Sequence, residues 1–329
     1  MLDKFLDGDI YLVGDETELR FRADELFDHQ ISKWKMASDG YRSLQEIQKK
    51  IFDFGKFTIE AHFNPGRIIS SSAKVDSKSI SDRPCFLCPK NLPPEQKALK
   101  IVGEYILLVN PFPIFDKHFT IPVVTHRPQL IYKEIESMLD ISFMLGSKYS
   151  VFYNGPKCGA SAPDHLHFQA GNFGYMKIDS EYESIVNSFG QTIQSNEKCR
   201  TISVTGCLRN FLSIESNDKK EIIKEFYKIY DVLMKDEDEP LLNIICRYDE
   251  KWRLMIFPRT KHRPSHFFEE GEGKYLISPA AVDLGGVLIF PREEDFKRIN
   301  KELITDIFKQ VTFSDDEFNK IINRLNDKK

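Results

Sequence analysis

The sequence predicts an α+β protein with an antiparallel sheet, flanking helices and two related halves. Three features of the 329-residue chain support this class. Apolar runs of strand length come in closely spaced pairs, as hairpins require. Stretches with apolar residues at three- and four-residue spacing, typical of helices, separate those pairs. The same mixture recurs loosely in the second half of the chain, which favours an α+β architecture around antiparallel sheets.

The chain begins with helical patterns and continues with one strand. Apolar residues follow near-helical spacing through residues 23–36 and 41–51. The alternation in KFTIEAHF, residues 56–63, predicts a strand, which NPGR, residues 64–67, ends with a turn. Residues 70–84 are polar and predict a loop.

The following stretch predicts two pairs of strands around one helix. YILLVNPFPIF (105–115) and HFTIPVVTH (118–126) have strand character, and prolines interrupt both. The spacing of apolar residues in 130–148 predicts a helix. YSVFYNG (149–155) and HLHFQAG (165–171) predict two further strands.

The second half repeats this pattern less clearly. Residues 221–235 predict a helix, residues 240–248, 251–259 and 275–290 predict strands, and helical segments close the chain. The phrases HFTIPVVTHRP and RLMIFPRTKHRP both join an apolar strand to a basic turn that contains histidine. Their likeness is a hint of internal duplication.

The polar stretch from 175 to 200 predicts the border between the halves. We therefore expect a first domain over 1–190 and a second domain over 191–329.

Composition excludes several classes of function. A net charge of −4, with 41% hydrophobic and 29% charged residues, gives no general argument for binding nucleic acid or membranes, although a local basic patch stays open. The acidic N-terminus is unlike a signal peptide, and no apolar run reaches the length of a membrane helix. Six cysteines in a chain of this length do not form a disulfide framework. We expect a cytoplasmic protein.

Two histidines separated by one residue form the most conspicuous motif. On a strand, His165 and His167 would project from the same face, and Gln169 would continue that face. Leu166 and Phe168 would point into the core. The alternative is a polar strand face with two solvated or hydrogen-bonded histidines.

The loop before this motif is rich in small residues, namely Gly155, Gly159, Ala160 and Ser161. Such residues let the backbone approach a ligand closely, as phosphate-binding loops do. The loop therefore favours a binding site over a merely polar strand.

Cys85 and Cys88, two positions apart, provide half of a tetrahedral zinc site. His126 and His165 are the natural candidates for the other half, and the alternative is a pair of buried thiols. If zinc takes His165, His167 stays free beside a rigid anchor and could attack phosphorus as a neutral imidazole. Four protein ligands would make the zinc structural.

Stabilising donors for such chemistry lie close by in the chain. Asn154, the backbone of residues 159–161 and Gln169 could bind the phosphoryl oxygens as negative charge develops.

At these residues the chain resembles the histidine-triad superfamily. CFLC, HFTIPVVTH and NGPKCGASAPDHLHFQ are similar to its transferase branch, which contains galactose-1-phosphate uridylyltransferase, diadenosine tetraphosphate phosphorylase and GDP-L-galactose phosphorylase. The hydrolase branch carries a third histidine where this chain has Gln169. The similarity is strong over about 60–171 and faint after 200, where it is to the C-terminal half of the phosphorylases.

The resemblance implies an enzyme, a nucleotidyltransferase or phosphorylase that acts on an NDP-sugar or a dinucleoside polyphosphate. A covalent nucleotidyl-histidine would pass its nucleotide to phosphate or a sugar phosphate, and relatives often form homodimers. The first domain would hold catalysis and zinc, and the second would complete the substrate site. The implied roles are nucleophile for His167, phosphate partner for Gln169 and Asn154, and zinc ligand for Cys85, Cys88, His126 and His165.

Five basic residues could supply charge for the substrate. Arg67 lies in the NPGR turn, and Arg259, Lys261, His262 and Arg263 crowd the turn PRTKHRP. Such a cluster can clamp phosphates, although runs of charge are usually solvated surfaces.

One feature departs from the family pattern. Ser161 lies four residues before His165, where the family usually places a serine three residues before. Asp164 directly precedes the motif, where it could repel an anionic substrate, orient His165 or simply form a solvated turn. Two other functions stay open: a non-catalytic, zinc-stabilised nucleotide-binding protein, and a hydrolase of the same superfamily.

Overall fold

A computed structural model describes residues 16–68, 77–101, 103–235 and 237–327. The N-terminal segment 1–15 and part of the predicted loop at 70–84 lie outside the described residues. Among the helices that are described, none is both long and apolar enough to cross a membrane.

The first half contains seven strands and five helices within the described residues. They are α1 (Glu16–Lys33), α2 (Lys35–Ser43), β1 (Gln48–Asp53), β2 (Thr58–Phe63), α3 (Ser77–Ser81), β3 (Ala98–Lys100), β4 (Ile106–Val109), β5 (His118–Pro122), α4 (Ile135–Leu145), β6 (Tyr149–Asn154), β7 (His167–Asn172) and α5 (Lys177–Phe189).

The second half adds six strands and five helices, counted over the same described parts of the chain. They are β8 (Gly190–Ser195), β9 (Cys199–Val204), β10 (Phe211–Ser216), α6 (Lys219–Leu233), β11 (Leu242–Asp249), β12 (Lys251–Pro258), α7 (Ala281–Leu284), β13 (Val287–Phe290), α8 (Glu293–Arg298), α9 (Lys301–Val311) and α10 (Asp315–Asp327).

Ten of the strands form one antiparallel sheet in the order β3-β4-β5-β7-β6-β11-β12-β10-β9-β8. Each half of this sheet has five strands in the order first, second, third, fifth, fourth, and a helix connects the third strand to the fourth. The α+β class and the two related halves are therefore confirmed.

The halves meet where β6 pairs with β11. Asn154 and Asn243 are partners in the register of this pair. A second, three-stranded sheet also joins the halves, because β2 pairs with β1 on one side and in parallel with β13 on the other. The polar stretch 175–200 forms α5, β8 and the start of β9.

Packed helices and a second sheet cover both faces of the large sheet, so its central strands β6, β7, β11 and β12 are buried at most positions, polar residues included. Helices α1, α4, α6 and α10 pack on one face, and the small sheet with α5, α8 and α9 covers the other. Helix α6 shows how local sequence favours a helix. Asp218 caps its N-terminus by accepting from Lys220 N–H at 3.0 Å. Ile222, Phe226 and Ile229, at helical spacing, form its buried face.

Three local predictions are wrong. Residues 48–51, expected as the end of a helix, belong to edge strand β1, where pairing with β2 overrides the helical pattern. Within 275–290 only β13 is a strand. The phrases HFTIPVVTHRP and RLMIFPRTKHRP lie on the third strand of one half and the fifth strand of the other, so their likeness does not reflect the duplication.

Candidate active site and metal centre

A cavity of about 620 Å³, hereafter the central cavity, is lined by both halves of the chain. Asn154, His167 and Gln169 line it from the first half, and His262 and Arg263 line it from the second. Its volume is that of a typical ligand pocket.

Next to this cavity the structure brings together Cys85, Cys88, His126 and His165. Their ligand atoms all lie within 4.8 Å of one another. Cys85 Sγ is 3.2 Å from His165 Nδ1, and Cys88 Sγ is 3.3 Å from His126 Nδ1. Bond lengths of about 2.3 Å to sulfur and 2.0 Å to nitrogen put the ligand atoms of a tetrahedral zinc site roughly 3.3–3.8 Å apart. The four residues could therefore hold a metal ion with tetrahedral geometry.

The protonation of His165 also suits a metal ligand. Its Nε2 donates to the carbonyl of Val123 at 2.7 Å, so that Nδ1 presents a lone pair to the cluster. His126 Nδ1 lies only 3.2 Å from His165 Nδ1.

His165 and His167 do not share one strand face, contrary to the expectation. β7 begins only at His167, so His165 lies in the preceding turn and its ring faces the two cysteines. The His167 ring lines the central cavity instead. The two histidines therefore serve two adjacent sites.

The geometry around His167 fixes its tautomer. Nδ1 lies 2.8 Å from the carbonyl of His165, and because a carbonyl only accepts, Nδ1 carries the proton. Nε2 is then unprotonated and has no hydrogen-bond partner among the described residues. Burial lowers the pKa of His167 to about 4, which keeps the ring neutral.

Gln129, which sequence reasoning did not assign to the site, holds the backbone of His167 from both sides. The N–H of His167 donates to Gln129 Oε1 at 2.7 Å, and Gln129 Nε2 donates to the carbonyls of His167 and Asn154 at 3.0 and 2.9 Å. Gln129 directly follows the phrase HFTIPVVTHRP, but only the folded chain shows its contacts.

Asn154 presents an amide donor to the central cavity. Its Oδ1 accepts from Asn243 Nδ2 and from Ala281 N–H, both at 2.8 Å. With the oxygen occupied, Nδ2 is the atom left for a ligand. Asn243 is fixed in turn by Arg259, which donates to its Oδ1 at 2.7 Å.

The small-residue loop adds backbone donors. Gly159, Ala160 and Ser161 line the cavity, and their N–H groups donate to no other described residue. Gly159 has φ +96°, and an added Cβ would lie 2.6 Å from the Cβ of Ala280. Only glycine fits this position, and the loop can therefore approach a phosphate.

The displaced serine is accommodated by a turn. Residues 163 and 164 form that turn, and Arg83 donates to the carbonyl of Ser161 at 3.2 Å and contacts Asp164 Oδ1 at 3.4 Å. The second oxygen of Asp164 lies 3.8 Å from His126 Nε2. Asp164 thus lies in the turn, but its side chain is mostly buried and contacts a cation and a candidate metal ligand.

The expectation that the basic turn at 258–264 supplies charge for the substrate is wrong for Arg259 and Lys261. Arg259 is buried, and its five N–H donors bind Asn243 and the carbonyls of Val311, Pro279, Lys261 and His262, so no donor remains for a phosphate. Lys261 is exposed and does not line the central cavity.

Among the described residues, the arginines and lysines that line the cavity are Arg67, Arg83 and Arg263. Arg67 donates to the carbonyl of Phe112 at 2.7 Å, and burial lowers its pKa to about 10. Arg263 lies 4.0 Å from the ring of Phe267 and donates through Nε to Ser278 at 3.0 Å.

Another part of the cavity wall is apolar, which the sequence did not reveal. It includes Trp34, Met36, Phe86, Leu92, Leu108 and Phe112. Trp34 and Met36 come from the N-terminal helical region. This region of the wall suits a flat apolar group.

Comparisons with known proteins agree with this architecture. Residues 185–327 match the family model described as GDPGP1-like, C-terminal domain, and residues 26–172 match the domain of unknown function DUF4922. The structure of yeast Ap4A phosphorylase Apa2 in complex with Ap4A superposes with a TM-score of 0.59 at 15% identity, over 90% of this chain and 98% of that chain. The chain has the Ap4A phosphorylase fold. The fold is the one that the resemblance implies.

Two other structures of the same yeast enzyme agree. The structure without a named ligand gives a TM-score of 0.55 at 14% identity, over 85% of this chain and 94% of that chain. The AMP complex gives 0.55 at 15% identity, over 85% and 96%. No curated protein is significantly similar in sequence.

Proposed function

We propose that the protein is a nucleotidyltransferase or phosphorylase that acts on an NDP-sugar or a dinucleoside polyphosphate by double displacement. One observation carries this proposal: the unprotonated Nε2 of His167 belongs to a neutral ring that lines a ligand-sized cavity beside several hydrogen-bond donors. The likeness to an Ap4A phosphorylase and to GDPGP1-like domains supports the same class of substrate.

In the first step, His167 Nε2 attacks the α-phosphorus and a nitrogen–phosphorus bond forms. The bond between that phosphorus and the bridging oxygen breaks, and the electron pair leaves with the sugar phosphate or nucleotide. In the second step, an oxygen of phosphate or a sugar phosphate attacks the same phosphorus. The nitrogen–phosphorus bond breaks and free His167 returns.

The donors around the cavity suit the charge that both steps develop. Asn154 Nδ2, the backbone N–H groups of 159–161 and the Gln169 amide can bind the equatorial phosphoryl oxygens. Arg67, Arg83 and Arg263 lower the potential energy of a polyphosphate in the same cavity.

Zinc, held by Cys85, Cys88, His126 and His165, would rigidify the turn before His167. With four protein ligands it offers no open position to the substrate, and its contribution is to folding and positioning. The carbonyl of His165, which orients the His167 ring, belongs to one of those ligands.

Turnover assays with purified protein test the proposal. Each of a panel of NDP-sugars and dinucleoside polyphosphates is incubated with inorganic phosphate, with a sugar phosphate or with water alone, and products are separated by chromatography. Acceptor-dependent products are expected, and His167→Ala should abolish them while His266→Ala, at a partly buried histidine that does not line the central cavity, should not.

The two alternatives give different outcomes. A hydrolase would release nucleoside monophosphate at the same rate without an added acceptor. A non-catalytic binding protein would bind nucleotide and form no product under any condition.

A further inference from the structure

His118 is a buried histidine to which neither the sequence analysis nor the proposed mechanism assigns a role. It is the first residue of β5, and its ring lies between the backbone of Ile114 and the side chain of Gln169. β5 pairs with β7, so this ring reaches Gln169 from the neighbouring strand.

The hydrogen bonds of His118 determine its tautomer. The N–H of Ile114 donates to Nδ1 at 3.2 Å, and because an amide N–H only donates, Nδ1 carries no proton. In the neutral ring, Nε2 is then the protonated nitrogen. It lies 3.0 Å from Gln169 Oε1 and donates to it.

The environment keeps this ring neutral. Burial and the positive charge of Arg67 lower the pKa of His118 to about 3. The ring therefore stays neutral over the pH range in which enzymes are assayed, and its tautomer is the one that the hydrogen bonds set. Phe115 and Phe152 pack against the ring, with centroids 5.2 and 6.1 Å away, and prevent it from turning.

The hydrogen bond from His118 determines which end of the Gln169 amide faces the central cavity. Its oxygen is held by His118, so its NH₂ group is the end left for the central cavity, where it has no acceptor among the described residues. If the amide turned over, it would present a carbonyl oxygen to the oxygens of a phosphate, which would repel it.

We propose that His118 is a positioning residue that fixes Gln169 with its amide donor toward the phosphoryl group bound at His167. The inference rests on the proposed function for the identity of that phosphoryl group. It predicts that Gln169 works as a donor only while a donor at position 118 holds its oxygen.

Two matched variants separate this role from simple packing. His118→Asn keeps an acceptor near Nδ1 for Ile114 but cannot reach Gln169 with a donor, whereas His118→Gln keeps a donor near the position of Nε2. We expect His118→Asn to lower kcat/KM about 10- to 100-fold, as expected for the loss of one hydrogen bond to a charged group. His118→Gln should recover most of that loss.

Binding measurements test the inference without any turnover. Calorimetry compares the affinity for the preferred monophosphate among AMP, GMP and UMP with the affinity for its nucleoside. In His118→Asn the monophosphate should lose affinity and the nucleoside should not. This result would stand even if no transfer activity were found, so failure of the proposed function and failure of this inference remain distinguishable.

Two outcomes overturn the inference. One is full activity and unchanged monophosphate affinity in a folded His118→Asn protein. The other is equal loss in both variants in proportion to lost thermal stability, which would make His118 a packing residue. A nitrogen-15 spectrum of the free protein adds a direct check, because a proton on Nδ1 of His118 would also contradict the argument.

Discussion

Glu239 is a buried carboxyl group whose protonation should control stability near neutral pH. The Tyr153 hydroxyl lies 2.7 Å from Glu239 Oε1 and 3.0 Å from the carbonyl of Gln129, and the N–H of Ile131 donates to the other carboxyl oxygen. Tyrosine has one proton, and the carbonyl can only accept. Both contacts are hydrogen bonds only if Glu239 is protonated and donates to Tyr153.

The size of the effect follows from the shift in pKa. Burial raises the pKa of Glu239 from 4.5 to about 7. Because the folded-state pKa lies above the unfolded one, the folded protein suffers no penalty below pH 4.5 and loses stability as pH rises through about 7. A shift of this size corresponds to about 3 kcal/mol in total, of which about 2 to 3 kcal/mol falls between pH 5 and pH 8.

Glu239→Gln mimics the protonated group, since its amide can donate to Tyr153 while its oxygen accepts from Ile131. We expect the free energy of unfolding of this variant, relative to wild type, to increase by about 2 to 3 kcal/mol between pH 5 and pH 8. Urea unfolding at both values measures it, with Glu237→Gln at an exposed neighbouring site as control. A difference of the same size at both pH values would refute the reasoning.

Three further predictions concern the site. Cys85→Ser should remove the bound metal, measured by mass spectrometry of the purified protein, and lower the free energy of unfolding by about 4 kcal/mol or more; full stability without metal would contradict it. Gly159→Ala should cost about 1 to 2 kcal/mol of stability and lower kcat, because the left-handed backbone and the Ala280 contact resist a side chain; wild-type values in both would contradict it. Arg263→Gln should weaken polyphosphate binding in calorimetry by about tenfold, while Lys261→Gln should not. Equal effects of the two substitutions would mean that the whole turn binds the polyphosphate, which would contradict the prediction.

The strands and most of the site residues could be predicted because their signals are local. Strand pairs, the small-residue loop and the spacing of Cys85 and Cys88 are all legible in short windows of sequence. The duplication was predicted too, but the phrases offered for it lie on non-equivalent strands. Strand order depends on pairing between distant segments, which no short phrase encodes.

The features that the sequence did not reveal depend on contacts that only the folded chain creates. Arg259 has the residue type of a phosphate clamp, and only the fold surrounds it with four carbonyls and Asn243. Gln129 and His118 act through hydrogen bonds to His167 and Gln169, 38 and 51 positions away in the chain. Their residue types alone do not distinguish such roles from ordinary core positions.

The central claim is that the His167 side chain becomes covalently bound to a nucleotide. Intact-mass spectrometry, after brief incubation with the NDP-sugars and dinucleoside polyphosphates and rapid acid-free quenching, tests it most directly. We predict a mass increase of one AMP, GMP or UMP group in the wild-type protein, which is absent in His167→Ala and lost when phosphate is added. Turnover without any such adduct, or the same adduct in His167→Ala, would contradict the account.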